Sequence, residues 1–351
     1  MHVTHILESW NNAGTERYVS NLIHASHKEE VNYKIIILGK INDPVTLANL
    51  PSDIVQIAST RSKLLALSKI IRKDDEDIYH LHLYTSLFLV SLLLKLFRKK
   101  FIVTYHVPLL QWNIKHKILW VASGYLADKK VAVSSFICEE FNKYFTTDVI
   151  FPPAWKETDV SKKENIKLRS SCLEIICIGR LENKQKDWLT LVEAIYKLSQ
   201  TTKDKIKVTL IGGGPDKKII QNSITKYKLC NKIQLTGHLE KEQVFEYLKT
   251  SSISVLPSKF EGFGMSAVET MSYEILTITS NFPASFDFIE HGITGYHFKI
   301  GDSTSLAGIL ELVINDDNLR EIVAKQGKEL TRQKFSDTGC ASKYSILYNS
   351  M

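Results

Sequence analysis

"SISVLPSKFEGFGMSAVETMSY", residues 252–273, changes its pattern twice within 22 positions. Its first six residues set Ile and Val at alternate positions and stop at Pro257, which is the pattern of a buried strand ending in a turn. Its last nine, "MSAVETMSY", carry helical spacing. "KFEGFG" is therefore a strand-to-helix turn. In open α/β sheets, ligands bind beyond the carboxyl ends of the strands, where helices begin. The free N–H groups and the dipole of a helix start favour a phosphate there. Gly262 and Gly264 let the backbone come close to a ligand, and Glu261 and Glu269 stand eight positions apart around that turn. A carboxylate would repel phosphate, so both acids are expected to accept hydrogen bonds from hydroxyls. That suits a ligand with sugar and phosphate parts. The same pattern also describes a helix start carrying two solvated acids.

Working outward, short Ile/Val-rich runs alternate with helix-length segments along most of the chain. "HVTHIL" precedes "TERYVSNLIHASH" and then "YKIIILG"; "DIYHLHL", "KFIVTYH" and "KKVAVSS" follow. "KETDVSKKENIKLRSS", 156–171, is polar and aperiodic and is expected to be a linker. After it the alternation restarts with "LEIICIG", "IKVTLIG", "KIQLTG" and "SISVLP". This predicts an α/β chain of two Rossmann-like halves with parallel sheets.

Three more strand ends carry candidate chemistry. In "CIGRLENKQKDWLTLVEA", 177–194, Arg180 follows a strand and Lys184 and Lys186 open the next helical segment. Two cations there suit a diphosphate, Arg as a fork and Lys as a point charge, although basic loop residues are usually only solvated. "LIGGGPD", 210–216, is a glycine turn that fits neither the P-loop nor the G-x-G-x-x-G pattern, and Gly213 sits at its centre. In the first half, "NNAGTERY" places Gly14 between a strand and a helix. "DIYHLHLYTS" sets His80 and His82 on one strand face, and "VTYHVP" puts His106 at a strand end. No carboxylate or third histidine stands at ligand spacing beside His80 and His82, so no metal is expected.

Composition sets the limits. The 351 residues are ample for two domains. A net charge of +7 lacks the clustered excess of a nucleic-acid binder. Five scattered cysteines point to reduced thiols rather than a disulfide framework or a zinc site. The first residues have neither a basic nor an apolar signal region, and "SLFLVSLLLKLF", 86–97, is too short to span a bilayer. A cytoplasmic protein is expected. "SLLLKLFRKK" and "LLQWNIKHKILW" join apolar residues to cations, so either could rest on an inner membrane leaflet or simply be a buried helix with a basic cap.

Together these motifs resemble retaining glycosyltransferases of family 4, over nearly the whole chain. "PSKFEGFGMSAVETMS" resembles that family's E-x₇-E signature, with Glu261 and Glu269 in its positions. "GRLENKQKDWLTLVEA" resembles its basic segment, Lys186 matching the family lysine, with one residue inserted and Asp187 replacing a glycine. "DIYHLH", "VTYH", "NAGTERYVSNL" and "HGITGYHF" resemble its histidine strands, glycine loop and late turn. "SYEILTI" and "FPPAW" depart from the family pattern, and the first loop has one glycine where two are usual.

The resemblance implies a GT-B fold: an acceptor-side domain over 1–160 and a nucleotide-sugar domain over 161–334, facing across a cleft. It also implies a terminal helix over 335–351 packing back on the first domain. It implies transfer of a sugar from a nucleotide-diphosphate donor, with retention, to a glycan or lipid-linked glycan of bacterial surface polysaccharide. Arg180 and Lys186 would hold the diphosphate, Glu269 the ribose, and Glu261 with the Phe263 and Gly264 amides the donor sugar. His106 would contact sugar or acceptor, and Gly14 would cap the phosphates, with no metal or other cofactor. The rival readings are a nucleotide-sugar epimerase of the same fold and a non-catalytic Rossmann-type binding protein.

Overall fold

The computed structural model describes residues 1–11, 14–26, 31–57, 63–73, 77–153 and 172–351. The linker expected at 156–171, and with it a boundary at 160, lies outside the described residues. The chain divides into two compact units, Met1–Ala154 with Asp337–Met351, and Trp155–Ser336.

The first unit holds β1 (His2–Leu7), β2 (Asn32–Ile37), β3 (Ser52–Gln56), β4 (Ile78–His82), β5 (Phe101–Tyr105), β6 (Lys129–Ala132) and β7 (Asp148–Val149). They form one parallel sheet in the order β3-β2-β1-β4-β5-β6-β7. The second unit holds β8 (Leu173–Ile178), β9 (Ile206–Ile211), β10 (Ile233–Gly237), β11 (Ser251–Leu256), β12 (Leu276–Ser280) and β13 (Tyr296–Phe298). Their order is β10-β9-β8-β11-β12-β13, again parallel. Each unit is thus a doubly wound Rossmann-like sheet. The strand order reverses between β1 and β4 in one and between β8 and β11 in the other, which is where such sheets bind ligands.

Parallel sheets are covered on both faces, so their central strands are buried throughout. Every residue of β4 and β5 is buried, including His80, His82 and Thr104. In the second unit Ile175, Cys177, Val208, Leu210, Ile253 and Val255 meet Trp188, Leu191 and Ile195 of the helix Trp188–Lys197 in one core. The terminal helix Asp337–Asn349 groups with the first unit. Its buried Cys340, Tyr344, Leu347 and Tyr348 follow helical spacing. The Tyr344 hydroxyl meets that of Tyr18, and Tyr348 Oη lies 2.8 Å from His80 Nδ1.

One local reading needs correction. The segment after Arg180 is not a single helix. A single turn, Asn183–Lys186, ends at Asp187 (φ 48°, ψ 44°), and the helix Trp188–Lys197 starts afresh. Asp is among the few non-glycine residues that tolerate this left-handed region. Its carboxylate accepts from Thr190 Oγ1 at 2.9 Å and lies 3.4 Å from Lys259 Nζ. This is how aspartate stands where the resembling pattern has glycine.

Candidate functional site

In the second unit, β8 and β11 are hydrogen-bonded neighbours, so the turns that leave them come together. Lys186 Nζ lies 2.5 Å from Glu261 Oε1, and the two side chains are only 12% and 11% exposed. Ser258 Oγ donates to the same oxygen at 2.7 Å, and Gln185 Nε2 to Oε2 at 3.3 Å. Two backbone contacts fix this cluster. Ser280 Oγ donates to the Ser258 carbonyl, and Lys259 N donates to the Gln185 carbonyl at 2.7 Å. Lys184, by contrast, is exposed.

Arg180 has a split role. Its carbonyl accepts from Trp188 Nε1 at 2.9 Å, while its guanidinium side chain is 68% exposed and 3.4 Å from Glu182. The structure therefore joins Lys186 to Glu261 and leaves Arg180 reaching into solvent at the same strand end.

Gly212–Gly214 lies against residues 179–181, with Leu181 N donating to the Gly213 carbonyl at 2.9 Å. A Cβ on Gly212 would sit 2.1 Å from the Gly179 carbonyl oxygen, and one on Gly214 2.4 Å from that of Leu181. These two glycines are steric necessities. Gly213, the position singled out for binding, has nothing within 4 Å of a built Cβ and borders open space.

The helix Met265–Ser272 begins at Gly264, whose φ of 111° suits glycine, and no side chain caps it. Its first N–H groups are thus free of side-chain competition for an anion. Phe263 is 3% exposed, with Phe288 and Phe335 each 5.4 Å away ring to ring. Its ring belongs to the core. Glu269 lies half-buried, five residues into the helix.

The first unit's strand edge is built of neutral rings. His5 Nδ1 lies 2.9 Å from His82 Nε2, and His82 Nδ1 lies 2.9 Å from His106 Nε2. His80 is engaged separately, by Tyr348 Oη at 2.8 Å and Thr104 Oγ1 at 2.6 Å. Burial pushes His5 and His106 down to about 3 and His80 and His82 well below their ordinary value, so all four are uncharged at neutral pH.

Sequence reasoning missed His5. The parallel register sets it beside His80, and the signal available was that "HVTHIL" carries a histidine in the next strand of the sheet. His5, His80 and His82 bring three ligand nitrogens within 4.8 Å of one another. Both nitrogens of His80 and both of His82 are already hydrogen-bonded, so a metal would have to displace those bonds. Gly14 opens the helix Gly14–Ser26 in an exposed position, and a Cβ there would meet nothing within 4 Å.

Residues 13–152 match the family Glycosyltransferase Family 4, and residues 160–330 match Glycosyl transferases group 1. The capsular polysaccharide biosynthesis glycosyltransferase CapM of Staphylococcus aureus is 24% identical over 239 residues, which is 68% of this chain and 60% of that protein. The N-acetyl-alpha-D-glucosaminyl L-malate synthase of Bacillus anthracis is 25% identical over 193 residues, 55% of this chain and 47% of that one. The chain thus spans about half to three fifths of these curated relatives. Among solved structures, HepE of Anabaena in complex with UDP superposes with a TM-score of 0.86 at 15% identity, over the whole of both chains. The fold is GT-B.

Proposed function

Given a chain that carries a glycosyltransferase family 4 domain followed by a glycosyl transferases group 1 domain, we propose that it transfers a sugar from a nucleotide-diphosphate donor to a glycan or lipid-linked glycan acceptor. The anomeric configuration is retained, and the product belongs to bacterial surface polysaccharide. The observation that carries this reading is the Lys186–Glu261–Ser258 cluster beside the uncapped start of the helix Met265–Ser272. Arg180 and Lys186 neutralise the diphosphate and the charge that grows on it as the glycosidic bond breaks. The backbone amides of Phe263 and Gly264 take part in the same site, Gly213 leaves room for the ligand, and Glu269 accepts from the ribose hydroxyls. Glu261, already held by three donors, orients Lys186 and reads a sugar hydroxyl with its remaining lone pairs. His106, a neutral ring, contacts a hydroxyl of sugar or acceptor, and Gly14 would cap phosphates at its helix start. Glycosyltransferase domains over both units do not favour the epimerase or the non-catalytic binder.

No metal is required, because cationic side chains and a helix start supply the positive charge. Activity that is lost in EDTA and restored by Mg²⁺ or Mn²⁺ counts against this. Peripheral membrane association rests on two helices packed on each other, Leu87–Leu96 and Ile114–Leu126. Leu89, Leu92, Leu96, Leu110, Ile114 and Ile118 are exposed, with Lys95, Arg98 and Lys115 beside them. That face suits an anionic bilayer surface. Trp120 is not part of it, being buried with its Nε1 donating to the Tyr84 carbonyl at 2.8 Å. Among the described residues no helix is long and apolar enough to cross a membrane.

The decisive experiment is a thermal-shift panel of nucleoside diphosphates and nucleotide sugars, followed by transfer assays with the hits and NMR of the product's anomeric proton. Stabilisation by a nucleoside diphosphate with retained configuration is expected. Failure of every nucleotide to bind overturns the reading.

A further inference from the structure

We propose that His82 and His5 are positioning residues that hold His106 neutral, in one tautomer and one ring orientation, so that its Nδ1 meets a ligand hydroxyl in a fixed hydrogen-bonding role rather than as a general base. The geometry is a row of three imidazoles from β1, β4 and the end of β5. It is linked Nδ1 to Nε2 twice, at 2.9 Å each. A neutral imidazole carries one proton and one free lone pair. One proton per ring and one per link leave only two arrangements. Either all three rings carry the proton on Nδ1, or all three carry it on Nε2. The tautomer of His106 is therefore not its own property but that of the row.

The inner end of the row makes the arrangement hard to invert. His5 Nε2 is buried and has no hydrogen-bond partner among the described residues. Inverting the row would require a proton to enter or leave at that unpartnered nitrogen while another crosses His106 Nδ1. The other route to base chemistry, an imidazolium at His106, is opposed by the same burial that keeps all three rings uncharged. Tyr18, edge-on to the His106 ring at 5.0 Å, limits its rotation. What remains for His106 is a directed contact, as donor or as acceptor, but one of the two.

This inference rests on the glycosyl-transfer reading for what meets His106, but its test does not. Long-range ¹⁵N–¹H spectra of the full-length protein report the tautomer of each ring directly. The expected result is the same tautomer at His5, His82 and His106, all neutral at pH 7. Opposite tautomers at His82 and His106, or a charged ring, overturn the proposal whatever the protein's activity. His82→Phe keeps the ring volume and removes both links. It should turn the single His106 tautomer into a mixture and cut the transfer rate by roughly tenfold with little change in donor KM. An unchanged His106 tautomer in a folded His82→Phe protein also overturns it. If that variant does not fold, His5→Phe leaves the outer link intact, so His82 and His106 should still share one tautomer, and opposite tautomers there overturn the proposal. Should no nucleotide sugar be used while the three tautomers agree, the functional reading falls and the lock stands.

Discussion

Removing both partners of the Lys186–Glu261 pair should cost far less than the sum of removing each alone. The pair is close, 2.5 Å, and about nine-tenths buried on each side. Lys186→Met leaves the Glu261 carboxylate with Ser258 and a long contact to Gln185. Breaking a buried ion pair from one side costs about 3–5 kcal/mol, and the two surviving donors place this variant near the lower figure, about 3 kcal/mol. Glu261→Gln keeps the shape and the Ser258 contact but strands an ammonium. The lysine stem lets that charge relax outward, so about 2 kcal/mol is expected. The double variant buries no charge and should lose only about 2 kcal/mol in all, giving a coupling of about 3 kcal/mol.

Urea unfolding, with hydrogen exchange followed in peptides covering 183–197 and 258–273, measures these losses where they arise. Additive single and double variants, or singles each below about 1 kcal/mol, would refute the claim that the two charges depend on each other. The same variants separate binding roles. Glu261 competes with a diphosphate for Lys186, so Glu261→Gln should bind a nucleoside diphosphate as well as or better than the parent while transfer falls. Lys186→Met should lose both. Calorimetric titration beside transfer rates decides between these patterns.

Other outcomes follow from single features. Arg180→Ala should leave the unfolding midpoint unchanged, because its guanidinium is solvated, yet lower turnover roughly 10²-fold; an unchanged rate removes it from the diphosphate site. Asp187→Ala puts a β-carbon without a polar tail into a left-handed position and frees Thr190 and Lys259, costing about 1–2 kcal/mol by thermal unfolding. Gly264→Ala combines a φ of 111° with a Cβ 3.0 Å from Phe288 Cζ, so nucleoside diphosphate affinity and stability should fall together. Acid should destabilise the first unit early. His5 and His106 have pKa values lowered to about 3, so between the ordinary value near 6.5 and that point the unfolded chain binds protons the folded one refuses. Their stability is complete above about pH 6.5 and is lost as the pH falls, by about 2 kcal/mol per histidine at pH 5. Urea midpoints measured at pH 7.5 and 5 check the sign, and a midpoint that rises on acidification contradicts it.

Much of this fold was legible because parallel strands, buried on both faces, print themselves as Ile/Val runs. Nearly every quoted run, from "HVTHIL" to "SISVLP", is a strand. One buried strand, β12, passed unremarked although it carries such a run, because "SYEILTI" stood out only as a departure from the family pattern. The others that passed unremarked are short or exposed. β3 is largely exposed at the sheet edge, β7 has two residues, and β13 has three. The turn at 257–264 was legible too, since glycine at a positive φ before a helix is a local signal. What sequence could not supply was partnership across the sheet. Lys186 and Glu261 are 75 positions apart and His5 and His82 are 77, and only strand register brings each pair together. The break at Asp187 was hidden for a different reason: aspartate in the left-handed region leaves no mark in a hydrophobic pattern.

The two units share one strand order and place their polar groups at the same reversal, yet they solve the problem of burying them differently. In the first, neutral histidines bond one another or Tyr348 and Thr104, with His5 Nε2 the exception, so burial involves no charge. The described histidine row can bond hydroxyls and carries no cation. In the second, a lysine and a glutamate are buried as a pair beside an uncapped helix start and an exposed arginine, a surface that gains most from an anionic ligand. A neutral polyhydroxyl moiety and a diphosphate are the two chemistries these surfaces separately fit. A free monosaccharide should bind weakly, a nucleoside diphosphate should gain its affinity from the second unit, and variants of the histidine row should leave that affinity nearly untouched.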